Sequence, residues 1–413
     1  MPDSQPSMDR TPANGPEMPA RWPDQITCPP DIHTFLAKRL GVAPPSADDP
    51  IFDMLRRAVV DDDRLASDLT DWMKQGKGHR ALFDQALENG LADVSDPPVP
   101  LRAFFERMEH RPAWADMELM KHGGEVHFRL GNIGRLAVAT LGLMAGYRNS
   151  AVAKTLVSTG SLTDATARRM EETTKFVFDV CDSNGMQRFS DGFKSAIRVR
   201  RVHAFVRRGL ARSPKWRAEL WGPPISVMDS LGTSMAFWVP VVLAEQDLGY
   251  QLSNHDKRAM MTLWNYVGYL QGVPEDLLPT SLEKSYRIYC ALRMVSPPAD
   301  QDSRDLAASL LASVRQRRGK HPWLRSRMFH GGVVHMLPDD YRRELAIDNT
   351  AFRIWPRLTR RKVARREAAC REDPAFLQQT IADHRAAMMR EFAEDQGHFD
   401  PNRVIHNQDA LAK

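Results

Sequence analysis

DATARRMEETTKFVFDV (residues 164–180) and AIRVRRVHAFVRRGL (residues 196–210) decide how this chain is read. Wound at about 100° per residue, the first places Met170, Thr173, Phe176, Val177 and Val180 on one apolar stripe, with Arg169 inside it. A cation in that position calls for a buried anion. The second segment sets His203 among Val199, Val202, Val206 and Leu210. Arg200 and Arg207 lie along one rim of that face, whereas Arg198, Arg201 and Arg208 point away and read as a solvated side.

An imidazole flanked by two guanidinium groups on an apolar wall suits a flat, apolar, dianionic cofactor. Haem is such a group: its iron takes a histidine and its propionates take arginines. Two plainer readings compete. A histidine on an apolar face also serves as a hydrogen-bonded core residue, and an arginine in an apolar stripe also pairs with an ordinary carboxylate.

Helical periodicity dominates the chain, and strand alternation is scarce. Helices are expected over residues 101–109, 132–147, 151–158, 163–181, 193–211, 225–248, 254–270, 282–294 and 303–318. Thr163 and Asp164 read as the cap and first-turn acid of the Arg169 helix, and Asp182-Ser183-Asn184-Gly185 as its stop. The fold class is all-α. Residues 1–30, rich in Pro and polar side chains, read as a flexible tail. Residues 31–100 read as a helical extension, 101–300 as the core, and 301–413 as helices packing on it with a polar end.

RVRRVHAFVRR (198–208), carrying His203, together with Arg169 and Thr173 four apart, resembles the catalytic domain shared by the latex clearing proteins (rubber oxygenases) and the mycophenolic-acid oxygenase MpaB. FFERMEHRPAWADMELMKHGG (104–124), the turn Thr159-Gly160-Ser161-Leu162 and NYVGYLQGVPEDLLP (265–279) agree with it, in order, over roughly residues 100 to 290. The resemblance implies haem b in a globin-like helical core, with His203 as the proximal iron ligand. Arg169 and Thr173 would lie near the haem, and Arg200 and Arg207 match arginines flanking the family's histidine. It further implies an oxygenase that uses O2 on a hydrophobic small molecule, by oxygen addition or oxidative cleavage of a C=C bond. Two positions depart from the family pattern. Glu172 stands where some rubber-cleaving members have a lysine able to cap the iron, and it becomes a candidate proton acceptor or a surface acid. SAVAKTLV (150–157) has Ala153 and Lys154 but no acid where the family's proposed base is sought. A haem carrier or gas sensor without turnover, and a helical interaction protein that has lost haem, are the competing functions.

Composition sets further bounds. With 413 residues, 42% hydrophobic and 26% charged, the chain has an ordinary globular composition. Its +5 formal charge comes from 57 Lys+Arg against 52 Asp+Glu, a mild excess even with a second basic run at Arg357 to Arg366, so nucleic acid is not expected as a partner. Cys28, Cys181, Cys290 and Cys370 form no C-x-x-C pair, which fits a reducing compartment and argues against zinc. The N-terminal stretch shows no secretion signal, and the apolar stretches at 131–147 and 223–246 are broken by Arg135, Asp229 and Pro240. A cytoplasmic protein without a membrane span is expected. No nucleophile elbow, phosphate loop or dinucleotide glycine pattern is present. His122, Glu125 and His127, or Glu394 and His398, lack the spacing of a non-haem metal site. Phe237, Trp238, Trp264, Tyr266 and Tyr269 are candidates for a substrate pocket, or for plain core.

Overall fold

The computed structural model describes residues 18–159, 162–316 and 321–395; the side chains of 162–165, 316 and 393–395 lie outside the description. Among the described residues there is helix and turn but no strand, so the fold is all-α. The longer helices, in chain order, are α1 (Pro50–Val60), α2 (Arg64–Met73), α3 (His79–Asn89), α4 (Val99–Glu109), α5 (Met117–Leu130), α6 (Asn132–Ala137), α7 (Ser150–Val157), α8 (Leu162–Cys181), α9 (Asp191–Ala211), α10 (Val227–Met235), α11 (Asn254–Leu270), α12 (Leu282–Met294), α13 (Gln301–Gln316), α14 (Pro322–Met336), α15 (Trp355–Glu372) and α16 (Pro374–Asp395).

Helix α11 is the axis of the molecule. Ser253 and Asp256 form a reciprocal capping box that starts it, and every residue from Ala259 to Leu270 is buried. It packs along α5, where the sequence supplies Gly123 and Gly124 in succession. A Cβ at Gly123 would stand 2.5 Å from the Ala259 carbonyl oxygen, and one at Gly124 would sit on the Cys181 carbonyl oxygen. This bare pair lets α5 touch α11 on one side and the end of α8 on the other, backbone to backbone.

Buried side chains from Trp22 to Met388 form one continuous hydrophobic core. Of the expected tail, residues 18–30 lie within the description. Arg21 and Trp22 are buried, Arg21 holds Asp229 through two hydrogen bonds of 2.5 and 3.0 Å, and the Ala20 N–H donates to Glu219. Residues 1–17 of that tail lie outside the description. Two expected helices are also divided. The stretch 132–147 passes from α6 into a π-helical Val138–Met144. The stretch 225–248 breaks at Phe237 and Trp238, where Pro240 can only enter a new helix, Val239–Leu243, at its first turn.

Candidate functional site

Helices α8 and α9 form a hairpin joined by a short turn. Its closed end is tight: a Cβ at Gly192 would sit on the Asp179 carbonyl oxygen, the Phe193 N–H donates to the Gly185 carbonyl, and Ser195 Oγ donates to Asp179 Oδ2 at 2.9 Å. Asn184, at φ 60°, makes the left-handed step of the turn. Away from the turn, Met170, Thr173, Phe176 and Val177 of α8 and Val199, Val202, His203, Val206 and Leu210 of α9 are only half-buried. These side chains leave the facing sides of the hairpin incompletely covered, an apolar surface that could receive a ligand.

Arg169 has no carboxylate partner among the described residues. Its Nη1 donates to the Leu156 carbonyl at 2.8 Å and to Thr159 Oγ1 at 3.2 Å, and its Nη2 to Thr166 Oγ1 at 3.3 Å. In place of the expected anion, among the described residues, stands the carbonyl end of α7, where a helix leaves acceptors unused and carries partial negative charge. Burial holds the guanidinium below its ordinary pKa. Thr173, one turn on, is half-buried, and its hydroxyl has no partner among the described residues. Glu172 is half-buried, faces Arg168 at 3.6 Å, and burial raises its carboxyl. Helix α8 begins at Leu162, so Thr163 and Asp164 lie within its first turn and their side chains are outside the description.

His203 differs from His79, His122, His127 and His384, each of which has a hydrogen-bond partner. Burial, assisted by the charge of Arg207, pushes its pKa down to about 4, so the ring is neutral. Neither ring nitrogen has a hydrogen-bond partner among the described residues. The two flanking arginines part company. Arg200, 2% exposed, is consumed by Asp63, with Nε and Nη2 at 2.7 Å from the two carboxylate oxygens. Burial works to raise Asp63, and the charge and hydrogen bonds of Arg200 outweigh it and hold the carboxyl below its ordinary value. Arg207, 3% exposed, donates to the carbonyls of Pro224 and Ile225, the latter a β-branched residue held at φ 53°. Its Nη1 is buried without a partner among the described residues. The solvated side is wrong for Arg201, which is buried over the Phe83 ring at 4.8 Å with its pKa pushed by burial to about 10. Arg198 and Arg208 are paired with Glu88 and Asp71.

The five aromatic residues do not line one pocket. Phe237 stacks on Trp264 at 4.3 Å, and both meet Phe176 of the α8 stripe at 6.4 Å. Tyr266 and Tyr269 pack with Trp114 instead, and Trp238 with Tyr286. Sequence reasoning missed His127 as a member of the Phe176 cluster: its Nε2 accepts from Trp264 Nε1 at 2.9 Å, and burial pushes it to about 4. The four-residue spacing of Val126 and Leu130 around it signalled only core. His122 is bound to Asp256 at 2.8 Å and lies 3.7 Å from Glu125. Among the described residues no three His, Cys, Asp or Glu side chains are grouped to hold a metal ion; His398 and the Glu394 side chain lie outside them.

The model of the family described as ER-bound oxygenase mpaB/B'/Rubber oxygenase, catalytic domain, matches residues 130–369, more than half of the chain. This chain belongs to that family. The match contains Arg169, Glu172, Thr173, Arg200, His203 and Arg207, leaves out the whole of the resembling segment 104–124, and extends past residue 290 into α15. The rubber oxygenase of Streptomyces sp. (strain K30) is 26% identical over 247 residues, 59% of this chain and 57% of that protein. The chain thus spans a little over half the length of that relative. The solved structure of latex clearing protein LCP in the closed state is similar in fold, with a TM-score of 0.61 over 89% of this chain and 96% of that one at 19% identity. No helix among the described residues is long and apolar enough to cross a membrane.

Proposed function

We propose that this chain is a haem b-dependent oxygenase that adds O2 to, or cleaves, a C=C bond of a hydrophobic small molecule. The state of His203 carries the reading. Embedded polar groups are hydrogen-bonded as a rule, and the chain keeps that rule at His79, His122, His127 and His384, each bonded to a carbonyl, a carboxylate or an indole. His203 departs from it, neutral and with neither ring nitrogen partnered among the described residues, which is the state a metal ligand needs.

Haem bound there would supply an iron centre at which O2 is activated. Its holders would be His203 for the iron and Arg207, through the open Nη1, for a propionate carboxylate. Arg200 would act one step back, with Asp63, by fixing the register of α9. Arg169 pins α8 to the end of α7, and Thr173 offers an unused hydroxyl as a donor toward a reacting oxygen. Glu172, its proton affinity raised by burial, is the proton acceptor nearest to Thr173 in the helix. Met170, Phe176, Val177, Val202 and Val206 would exclude water and receive an apolar substrate. Cleavage of one C=C bond by one O2 gives two carbonyl groups, so that outcome needs no external electron donor.

Oxygen uptake by the haem-loaded chain, offered polyisoprenes, terpenes and other polyenes, tests the proposal. One O2 consumed per two new carbonyls is expected with at least one substrate class. A haem spectrum without uptake on any olefin would make the chain a carrier or gas sensor, and a chain that stays colourless after haem supplementation would make it an interaction protein.

A further inference from the structure

The basic run at the start of α15 has no part in the His203 site, yet it borders a group of apolar side chains left in solvent. Trp323 and Leu324 at the start of α14 are 55% and 40% exposed, and Ile354 and Leu358 at the start of α15 are 54% and 72% exposed. They belong to one rigid face. The Trp323 ring meets Phe352 edge-on at 6.0 Å, Trp355 Nε1 donates to the Met328 carbonyl at 2.6 Å, and the Arg327 guanidinium lies 5.5 Å over Trp323. Residues 353–366 carry seven Arg and Lys and no acid. Arg353, Arg357, Arg360, Arg361 and Lys362 are exposed, and none of them has an ion pair among the described residues. At about 100° per residue, Ile354, Arg357, Leu358, Arg361 and Arg365 share one side of α15.

We propose that this face docks on an anionic lipid bilayer. The chemistry is that of an interfacial surface: apolar side chains and a tryptophan enter the headgroup boundary, and a ring of arginines meets the lipid phosphates. Beside it, Arg357, Arg360 and Arg361 line a cleft of about 550 Å³ with Gln246, Asp247 and His335, a seat for an anionic headgroup. Asp247, the carboxylate in that cleft, is already bound by Arg39. Four exposed apolar side chains among the cations favour a bilayer over a nucleic acid, whose phosphates give them nothing to enter. The inference is independent of the proposed haem chemistry.

The test is sedimentation of the whole chain with vesicles of phosphatidylcholine alone and of phosphatidylcholine with about 30% phosphatidylserine. Binding to the acidic vesicles only is expected, and it should weaken as salt rises from about 0.1 to 0.5 M. Arg357→Glu with Arg361→Glu should lower the acidic-vesicle affinity roughly tenfold or more. Ile354→Ser with Leu358→Ser should lower it too, and because these side chains are exposed, both double variants should keep the parent's melting temperature. Equal sedimentation with both vesicles, or variants that bind as the parent does, would overturn the proposal. So would duplex DNA binding that the arginine pair abolishes and the serine pair leaves intact, or a dimer that the serine pair dissociates in a chain indifferent to vesicles.

Discussion

Helices α5 and α11 meet backbone to backbone at Gly123, and the charges around them close on one another. His122 and Arg129 share Asp256, and Arg129 also reaches Glu367 at 3.2 Å. Helices α8 and α9 meet that closely at their turn, and beyond it Arg169 reaches a helix carbonyl, while among the described residues Thr173 has a spare hydroxyl and His203 has no hydrogen-bond partner. The same residue type marks the contrast. His122, hydrogen-bonded to Asp256, is raised above the ordinary imidazole value, whereas burial pushes His203 down to about 4. One pair is finished by the chain itself; the other is left chemically open.

The largest effect is expected where the open pair borders a closed contact. Asp63→Ala strands the Arg200 guanidinium and should destabilise the protein by about 3–5 kcal/mol in urea unfolding, while Asp63→Leu with Arg200→Met should recover most of it. A loss below about 1 kcal/mol would mean that Arg200 has another anion to turn to.

Acid should separate the two histidines next. The His203 pKa is depressed on folding, so in haem-free protein its contribution is complete above about pH 6.5 and is lost as pH falls toward 4, about 3 kcal/mol in full. His203→Gln should remove that part of the pH slope. The His122 pKa is raised on folding, so its contribution is complete below about pH 6.5 and fades as pH rises through its folded value. His122→Gln should therefore weaken the protein most on the acid side. Matching pH profiles for the two variants would erase the distinction.

Gly124→Ala drives a methyl into the Cys181 carbonyl and should destabilise by about 1–3 kcal/mol, whereas Gly209→Ala in α9, with nothing within 4 Å of the added carbon, should be neutral or slightly stabilising. Arg169→Ala should cost less than Asp63→Ala. Its partners are a carbonyl and two hydroxyls rather than a carboxylate, so about 1–2 kcal/mol should be lost by thermal melting. A loss like that of Asp63→Ala would point to a buried anion beside it.

What the sequence disclosed follows from how local each signal is. Helices Asn254–Leu270 and Leu282–Met294 lie where the periodicity puts them, because Ser253 and Ser281 cap them and Pro residues follow. The half-buried stripe of His203 was legible for the same reason, as was the family. Pairings across the chain were not. Asp63 is 137 residues from Arg200 and Asp229 is 208 from Arg21, and no periodicity connects them. Arg201 read as solvated because an arginine lying over Phe83 leaves the helical pattern unchanged. The partner of Arg169 stayed hidden because a backbone carbonyl belongs to every residue.

Haem titration of the chain and of His203→Ala, followed by absorption near the Soret band, tests the open imidazole most directly. A stoichiometric, saturable Soret spectrum is expected for the parent and its loss in the variant, with the far-ultraviolet helix signal of both unchanged. A variant that retains the full band, or a parent that never develops one, would contradict it.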